Sequence, residues 1–92
     1  MDYKILPRTF QQAKLLGLVV KPSMKKTKKI DVYKDDKLIG SVGGKGYKDY
    51  AYYLKDDGKK VADEKRRLYK LRHEKDRMVV GSNGWLADKL LW

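Results

Sequence analysis

The stretch Glu64–Arg77 reads Glu-Lys-Arg-Arg-Leu-Tyr-Lys-Leu-Arg-His-Glu-Lys-Asp-Arg, and it says more about this chain than any other segment. Projected at 100° per residue, it predicts a helix, from about Lys60 to Arg77, with two distinct arcs. The apolar arc holds Val61, Leu68, Tyr69 and Leu71. The basic arc holds Arg66, Lys70, His73 and Arg77. One helix is therefore expected both to anchor the fold and to present positive charge to a partner, which favours binding over catalysis.

Upstream of this helix, the pattern predicts strands. Ile30–Tyr33 and Leu38–Val42 alternate on either side of Lys34-Asp35-Asp36-Lys37, which is typical of a β-hairpin. Leu18-Val19-Val20, closed by Pro22, predicts a further short strand. We expect an α+β fold: one small domain over residues 1–92, with an antiparallel hairpin or three-stranded sheet packed by three to four short helices. Residues 1–8 are expected to form a flexible N-terminal arm.

Two of the remaining helices have clear end signals. Thr9-Phe10-Gln11-Gln12 fits a capping box with Thr9 as the N-cap. Gly17 is placed to end that helix in the left-handed conformation. Tyr47, Tyr50 and Leu54 share one face of a second helix, with Tyr53 beside them, and this helix should end near Gly58. Such an aromatic patch can stack nucleobases, but at this spacing we interpret it as core.

The C-terminal segment predicts a last short helix, from Trp85 to Trp92, after the turn Gly81-Ser82-Asn83-Gly84. Trp85, Lys89 and Trp92 share a side of it, so we expect the terminus to dock onto the domain. If Trp85 and Trp92 were exposed together, they would indicate a homodimer or another docking surface.

Composition narrows the function classes. The formal charge is +11, from 23 Lys and Arg against 12 Asp and Glu, and such an excess favours nucleic acid, an acidic protein or anionic lipid as a partner. A merely solubilising surface is the alternative. The chain has no cysteine and a single histidine, His73, so we predict no metal site and no cofactor. No apolar run reaches the ~18 residues of a membrane span, and no secretory signal is evident, so an intracellular location is expected.

The candidate phosphate contacts come from two basic segments. Residues 21–29 carry five lysines and no acid. On the basic arc of the long helix, three cations lie within about 40°, a row that could follow a phosphate backbone. Asp63 and Glu74 fall on the same side, so a solvated face with internal ion pairs is the alternative. The predicted nucleic-acid-binding residues are Lys25, Lys26, Lys28, Lys29, Arg66, Lys70 and Arg77.

Arg72 projects onto the apolar arc, as does Lys65. An arginine there either extends its head to solvent or meets a carboxylate, and we predict a structural role with Asp31 or Asp49 as partner. No catalytic set is evident, because consecutive helix positions such as His73 and its acidic neighbours do not face one another. We therefore predict a protein that is not an enzyme; carboxylates that converge only in three dimensions are the remaining alternative.

A family resemblance extends over most of the chain. Its segments are Ala13-Lys14-Leu15-Leu16-Gly17, Val20-Lys21-Pro22-Ser23, Lys28–Lys34, Gly46-Tyr47-Lys48-Asp49-Tyr50, Arg66–His73 and Gly84–Trp92. In this ordered combination, from about Phe10 to Trp92, the chain resembles a family of short uncharacterised proteins encoded by large nucleocytoplasmic DNA viruses, the chlorovirus and mimivirus relatives. The resemblance implies a viral origin and a place in the host cytoplasm or nucleus, at the viral factory, or in the virion. It implies no activity and no catalytic residue.

Charge and resemblance together predict a non-enzymatic viral accessory protein that binds nucleic acid through phosphate contacts, without evident sequence readout, in a packaging or genome-associated role. The alternative is a minor structural protein of the virion that cements acidic faces of capsid proteins.

Overall fold

The computed structural model describes residues 3–92, which form a three-stranded antiparallel sheet and four α-helices. In chain order the elements are α1 (Pro7–Leu15), β1 (Val19–Pro22), β2 (Lys28–Lys34), β3 (Lys37–Gly44), α2 (Tyr50–Asp57), α3 (Lys59–Arg72), a single 3₁₀ turn (Asp76–Met78) and α4 (Asn83–Leu91). The α+β prediction is confirmed.

The sheet is built from consecutive antiparallel neighbours in the order β1-β2-β3. The β2–β3 hairpin closes through Asp35 and Asp36, whose φ angles of 50° and 66° are both left-handed. Two such residues between paired strands match the right-handed twist of the ladder, and Asp tolerates this conformation better than most side chains. The predicted hairpin is thus confirmed, and its turn fixes the register of Lys34 with Lys37.

The apolar core lies between the sheet and the helices α1 and α4. Ile30 and Val32 of β2 are fully buried, and they pack in one cluster with Leu86 and Leu90 of α4. Strand residues at spacing two point to the same face, so one side of β2 supplies the core. Ile5 joins this cluster, and Pro7–Leu15 forms α1. Of the eight residues predicted as a flexible arm, residues 3–8 therefore include packed positions, and residues 1 and 2 lie outside the described part.

The N-terminal boundary of α1 differs from the prediction. The helix begins at Pro7, whose fixed φ suits the first helical position, and its N-cap Leu6 makes no side-chain cap. Thr9 is therefore not the cap. Its buried hydroxyl instead donates to the carbonyl oxygen of Leu90 at 3.0 Å and joins α1 to α4. The predicted end is correct, because Gly17 has a left-handed φ of 71°.

Helix α2 begins after Asp49, whose carboxylate accepts from the amide N–H of Tyr52. It ends before Gly58, as predicted. Tyr50 is buried, in agreement with its predicted place in the core. Tyr47 lies before the helix and is 79% exposed, so the prediction of a core position was wrong for this residue.

Helix α3 ends at Arg72, five residues before the predicted end at Arg77, and the chain then passes through the 3₁₀ turn. Its buried positions are Ala62 and Tyr69, whereas Val61 and Leu71 are 40% and 59% exposed. The arc of α3 that is buried is thus rotated about the helix axis relative to the predicted apolar arc. Ala62 has no side chain beyond Cβ, so it permits the close approach of α3 to α2.

The C-terminus docks as predicted. Ser82 caps α4 by accepting from the amide N–H of Trp85, and Trp92 follows the helix. The Trp92 ring stacks on Tyr69 of α3, with centroids 4.4 Å apart and planes 8° apart. No helix within residues 3–92 has the combined length and apolarity needed to cross a membrane.

Candidate functional site

A cleft of about 770 Å³ opens between helix α3 and the end of the β2–β3 hairpin that lies away from its turn. Lys28 and Gly44, which face each other at the end of the β2–β3 ladder, form one wall. Lys65, Leu68 and Arg72 form the other. Its volume falls within the range of about 300–1,000 Å³ that small-ligand sites occupy.

An aromatic column forms part of the cleft lining. Tyr69 lies between His73 and Trp92, with ring centroids 4.4 Å from each. Tyr53 meets Trp92 at 6.2 Å in a tilted arrangement. Burial and the nearby carboxylate of Asp88 raise the pKa of Tyr69, so its phenol stays neutral. Because Tyr69 is covered on both faces, the half-buried Tyr53 and Trp92 present the accessible ring surface of this wall.

Tyr47 stands at the edge of the same cleft. Its ring lies against the backbone of Gly44, where an added Cβ would come within 3.3 Å of Tyr47 Cδ2. Glycine at the end of β3 therefore leaves room for the ring to lie over the strand. Tyr47 thus joins Tyr53, Tyr69 and Trp92 in the cleft lining and is the most exposed of these four.

Three of the lining cations have no carboxylate within ion-pair distance among residues 3–92: Lys28, Lys65 and Arg72. Lys65 Nζ lies 5.7 Å from the ring centroid of Tyr53, a distance at which the ring face attracts a cation. Lys48 differs, because its Nζ meets Asp57 at 2.8 Å, and that hydrogen bond raises the pKa of Lys48. The acid in the lining, Asp76, lies 3.6 Å from His73 Nδ1. The cleft therefore carries net positive charge.

A basic loop leads into β2, whose first residue, Lys28, lines the cleft. The amide N–H of Lys45, in the turn that leads to Tyr47, donates to the carbonyl oxygen of Thr27 at 3.0 Å. This bond joins the loop of residues 23–27, which carries Lys25 and Lys26, to the turn before Tyr47, although neither lysine lines the cleft itself.

Buried Asp31 anchors this loop. It accepts from the Ser23 hydroxyl and from the Ser41 hydroxyl, each at 2.6 Å, and from the amide N–H of Met24. Burial acts to raise the pKa of Asp31, but these hydrogen bonds outweigh it and the net shift is downward. Asp31 therefore stays ionised and holds the start of the loop.

Lys29 also borders the cleft, but its ammonium adds no free positive charge there. It is 4% exposed, and its Nζ lies 3.2 Å from the fully buried carboxylate of Asp49. Asp49 also accepts from the hydroxyl of Tyr3. Burial lowers the pKa of Lys29, and attraction to Asp49 only partly offsets that effect. Contrary to its prediction as a phosphate contact, Lys29 is part of a buried polar cluster.

The predicted basic arc of α3 is engaged within the fold. The Arg66 guanidinium lies 3.9 Å from the ring centroid of Tyr50 and 3.5 Å from Asp63. Lys70 Nζ meets the buried carboxylate of Asp88 at 3.0 Å. Arg77 Nε donates to the carbonyl oxygen of Lys70 at 3.3 Å. These three cations do not line the cleft, and the arc resembles the alternative of internal ion pairs.

The structural role predicted for Arg72 was wrong. Its proposed partners have others: Asp31 is bonded by serines and Asp49 by Lys29. Arg72 is exposed and lines the cleft, and so does Lys65, which precedes it on α3. Lys65 and Arg72 are seven residues apart, so they lie on the same arc of the helix as Leu68 and Tyr69. This spacing could have indicated a shared site, but the arc was interpreted as packed against other elements, whereas it lines a concave surface.

Among residues 3–92, no group of three or more His, Asp or Glu side chains is placed to hold a metal ion. No family model, curated protein or solved structure matches the chain. The geometry of the cleft therefore carries the functional argument, and the viral family stays a prediction.

Proposed function

We propose that the protein binds nucleic acid, without catalysing a reaction on it, through phosphate contacts made around the cleft. Lys28, Lys65 and Arg72 would make the central contacts, with Lys25 and Lys26 alongside. The observation that carries this proposal is the convergence of the first three on one concave surface without acidic partners among the described residues. The genome-associated or packaging role predicted from the resemblance would use this same surface.

The chemistry of these side chains suits phosphate. The planar guanidinium of Arg72 can donate two parallel hydrogen bonds to one phosphate, and the lysines act as point charges. Each cation that neutralises a phosphate releases a condensed counterion, so the affinity must fall steeply with salt. The flat acidic face of a capsid protein, the alternative partner, would not fill a concave cleft with aromatic walls.

The test is a salt titration of binding, measured by fluorescence anisotropy with labelled single-stranded and duplex oligonucleotides. Five contacts predict a slope of log affinity against log salt of about −3.5 on a single strand and about −4.5 on a duplex. The triple variant K28Q/K65Q/R72Q should reduce the single-strand slope to about −1.4, since two contacts remain.

The matched control is K14Q/K34Q/K60Q, which removes the same charge from exposed lysines outside the cleft. It should keep most of the slope. Equal loss in the two triple variants would mean that the charge acts diffusely and would refute the cleft as the interface. Tighter binding to an acidic protein than to either oligonucleotide, with little salt slope on the latter, would favour the structural role.

A further inference from the structure

We infer that the cleft selects single-stranded nucleic acid, DNA or RNA, by placing at least one unpaired base against its aromatic side chains. This inference rests on the proposed function and specifies its ligand. Tyr47, Tyr53 and Trp92 all line the cleft, Tyr47 exposed and the other two half-buried. Stacking on an aromatic side chain is largely independent of sequence, because every base has a π-face.

Each side of the cleft brings one free cation close to one ring. On the hairpin side, Lys28 pairs across the ladder with Gly44, over which the Tyr47 ring lies. On the helix side, Lys65 Nζ lies above the Tyr53 ring. A single strand carries one phosphate with each base, so one nucleotide can meet a cation and a ring together. Phosphate contacts alone would need the cations and not the rings.

A duplex cannot use this arrangement. Its base faces are already stacked on one another, and turning one base out costs unstacking and unpairing energy. The cleft volume of about 770 Å³ suits a few nucleotides, not a double helix. A duplex could therefore meet the cations through its phosphates but could not place a base against the rings.

The ring surface of Trp92 is fixed before any ligand binds. Its ring is backed by Tyr69 and then by His73, and its carbonyl oxygen accepts from Arg8 Nη2 at 3.4 Å. Holding a ring in place beforehand removes the entropy cost of ordering it on binding. This favours a base-binding role for the column beyond its role in packing.

The experiment compares three ligands of equal length: a single-stranded oligonucleotide, its duplex, and an abasic single strand that keeps the phosphodiesters but lacks the bases. We expect the single strand to bind about tenfold more tightly than either of the others at the same salt concentration. The series is run in DNA and in RNA, and this preference in either one supports the inference. A W85F variant leaves Trp92 as the sole tryptophan, and its fluorescence should be quenched by the single strand and not by the abasic strand.

Variant Y47L removes an exposed ring while keeping apolar bulk, so the fold should persist. It should weaken single-strand binding about fivefold and leave abasic binding unchanged. Variant Y33L, a tyrosine of β2 outside the cleft lining, is the matched control and should change neither. Equal affinity for all three ligands in both series overturns the inference and leaves phosphate binding intact. Failure of all three to bind overturns the proposed function itself.

Discussion

Two neighbouring lysines, Lys28 and Lys29, should respond differently to substitution with methionine: K29M should lower the stability of the fold, and K28M should weaken oligonucleotide binding. Methionine keeps the apolar stem of lysine and removes the ammonium. At position 29 this leaves the carboxylate of Asp49, which is fully buried, without its cation. The Tyr3 hydroxyl and the Tyr52 amide still bond it, so the cost should lie at the low end of the 3–5 kcal/mol for a broken buried pair, about 3 kcal/mol.

That loss is large for a chain of 92 residues, whose whole stability is roughly 5–14 kcal/mol. Urea unfolding followed by circular dichroism should show it directly. With a slope of about 2 kcal/mol per M, the midpoint of K29M should fall by about 1.5 M. K28M should lie within about 0.5 kcal/mol of the parent protein, because Lys28 is half-exposed, and should instead weaken oligonucleotide binding.

A double variant separates the unpaired charge from lost packing. Adding D49N to K29M removes the unpaired carboxylate charge, and should restore at least about 1 kcal/mol relative to K29M alone. If K29M costs less than about 1 kcal/mol, or if K28M and K29M behave alike, the assignment of Lys29 to the core is refuted.

Two further predictions concern other buried carboxylates. The lowered pKa of Asp31 means that the folded state binds this proton less tightly than the unfolded state, so its stabilisation is present above pH about 4 and is lost as the pH falls below that value. D31N should therefore lower the urea midpoint at about pH 7. It should also flatten the decline of that midpoint between about pH 5 and about pH 3, the range that spans the pKa of an unfolded Asp. A decline as steep as in the parent protein would contradict this. K70M should cost about 2 kcal/mol by leaving the buried Asp88 carboxylate with only a distant lysine, yet leave oligonucleotide affinity within about twofold, whereas K60M on the exposed side of α3 should change neither. A K70M protein of normal stability with weakened binding would return the helix arc to the interface.

Local signals predicted much of the fold. The alternation on both sides of Asp35-Asp36 sets the hairpin, because two residues in the left-handed conformation close a two-stranded ladder directly. Gly17 and Gly58 mark helix ends for a similar reason, since both have a positive φ. Such features depend on a few consecutive residues, so a sequence displays them.

Features set by distant partners were not predictable in the same way. The sequence around Thr9 is typical of a helix N-cap, but the helix begins at Pro7. The Thr9 hydroxyl donates instead to the carbonyl oxygen of Leu90, which lies 81 residues further along the chain. The rotation of α3 depends on its packing against α2, where Ala62 is covered and Val61 is not. A helical projection gives the relative angles of side chains but not which arc a neighbouring helix will cover.

The candidate site shows the same division. The charge run of residues 21–29 includes Lys28, which lines the cleft, but the run alone could not separate Lys28 from Lys29. The two are chemically identical, and adjacent strand residues point to opposite faces. Only the position of Asp49, 20 residues away, decides which one is buried. Tyr47 was likewise assigned by spacing to a helix that begins three residues later.

Because Trp92 forms part of the cleft lining, any peptide joined after it would start at the cleft. An affinity tag or fluorophore attached there would itself alter the cleft, so a binding assay would measure the effect of the tag together with that of the oligonucleotide. The hairpin turn offers a cleaner attachment point, since it lies at the far end of β2 and β3, about 20 Å along the strands from Lys28. As the sequence contains no native thiol, a single cysteine introduced at exposed Lys37, beside the turn and outside its two left-handed positions, could be labelled there uniquely.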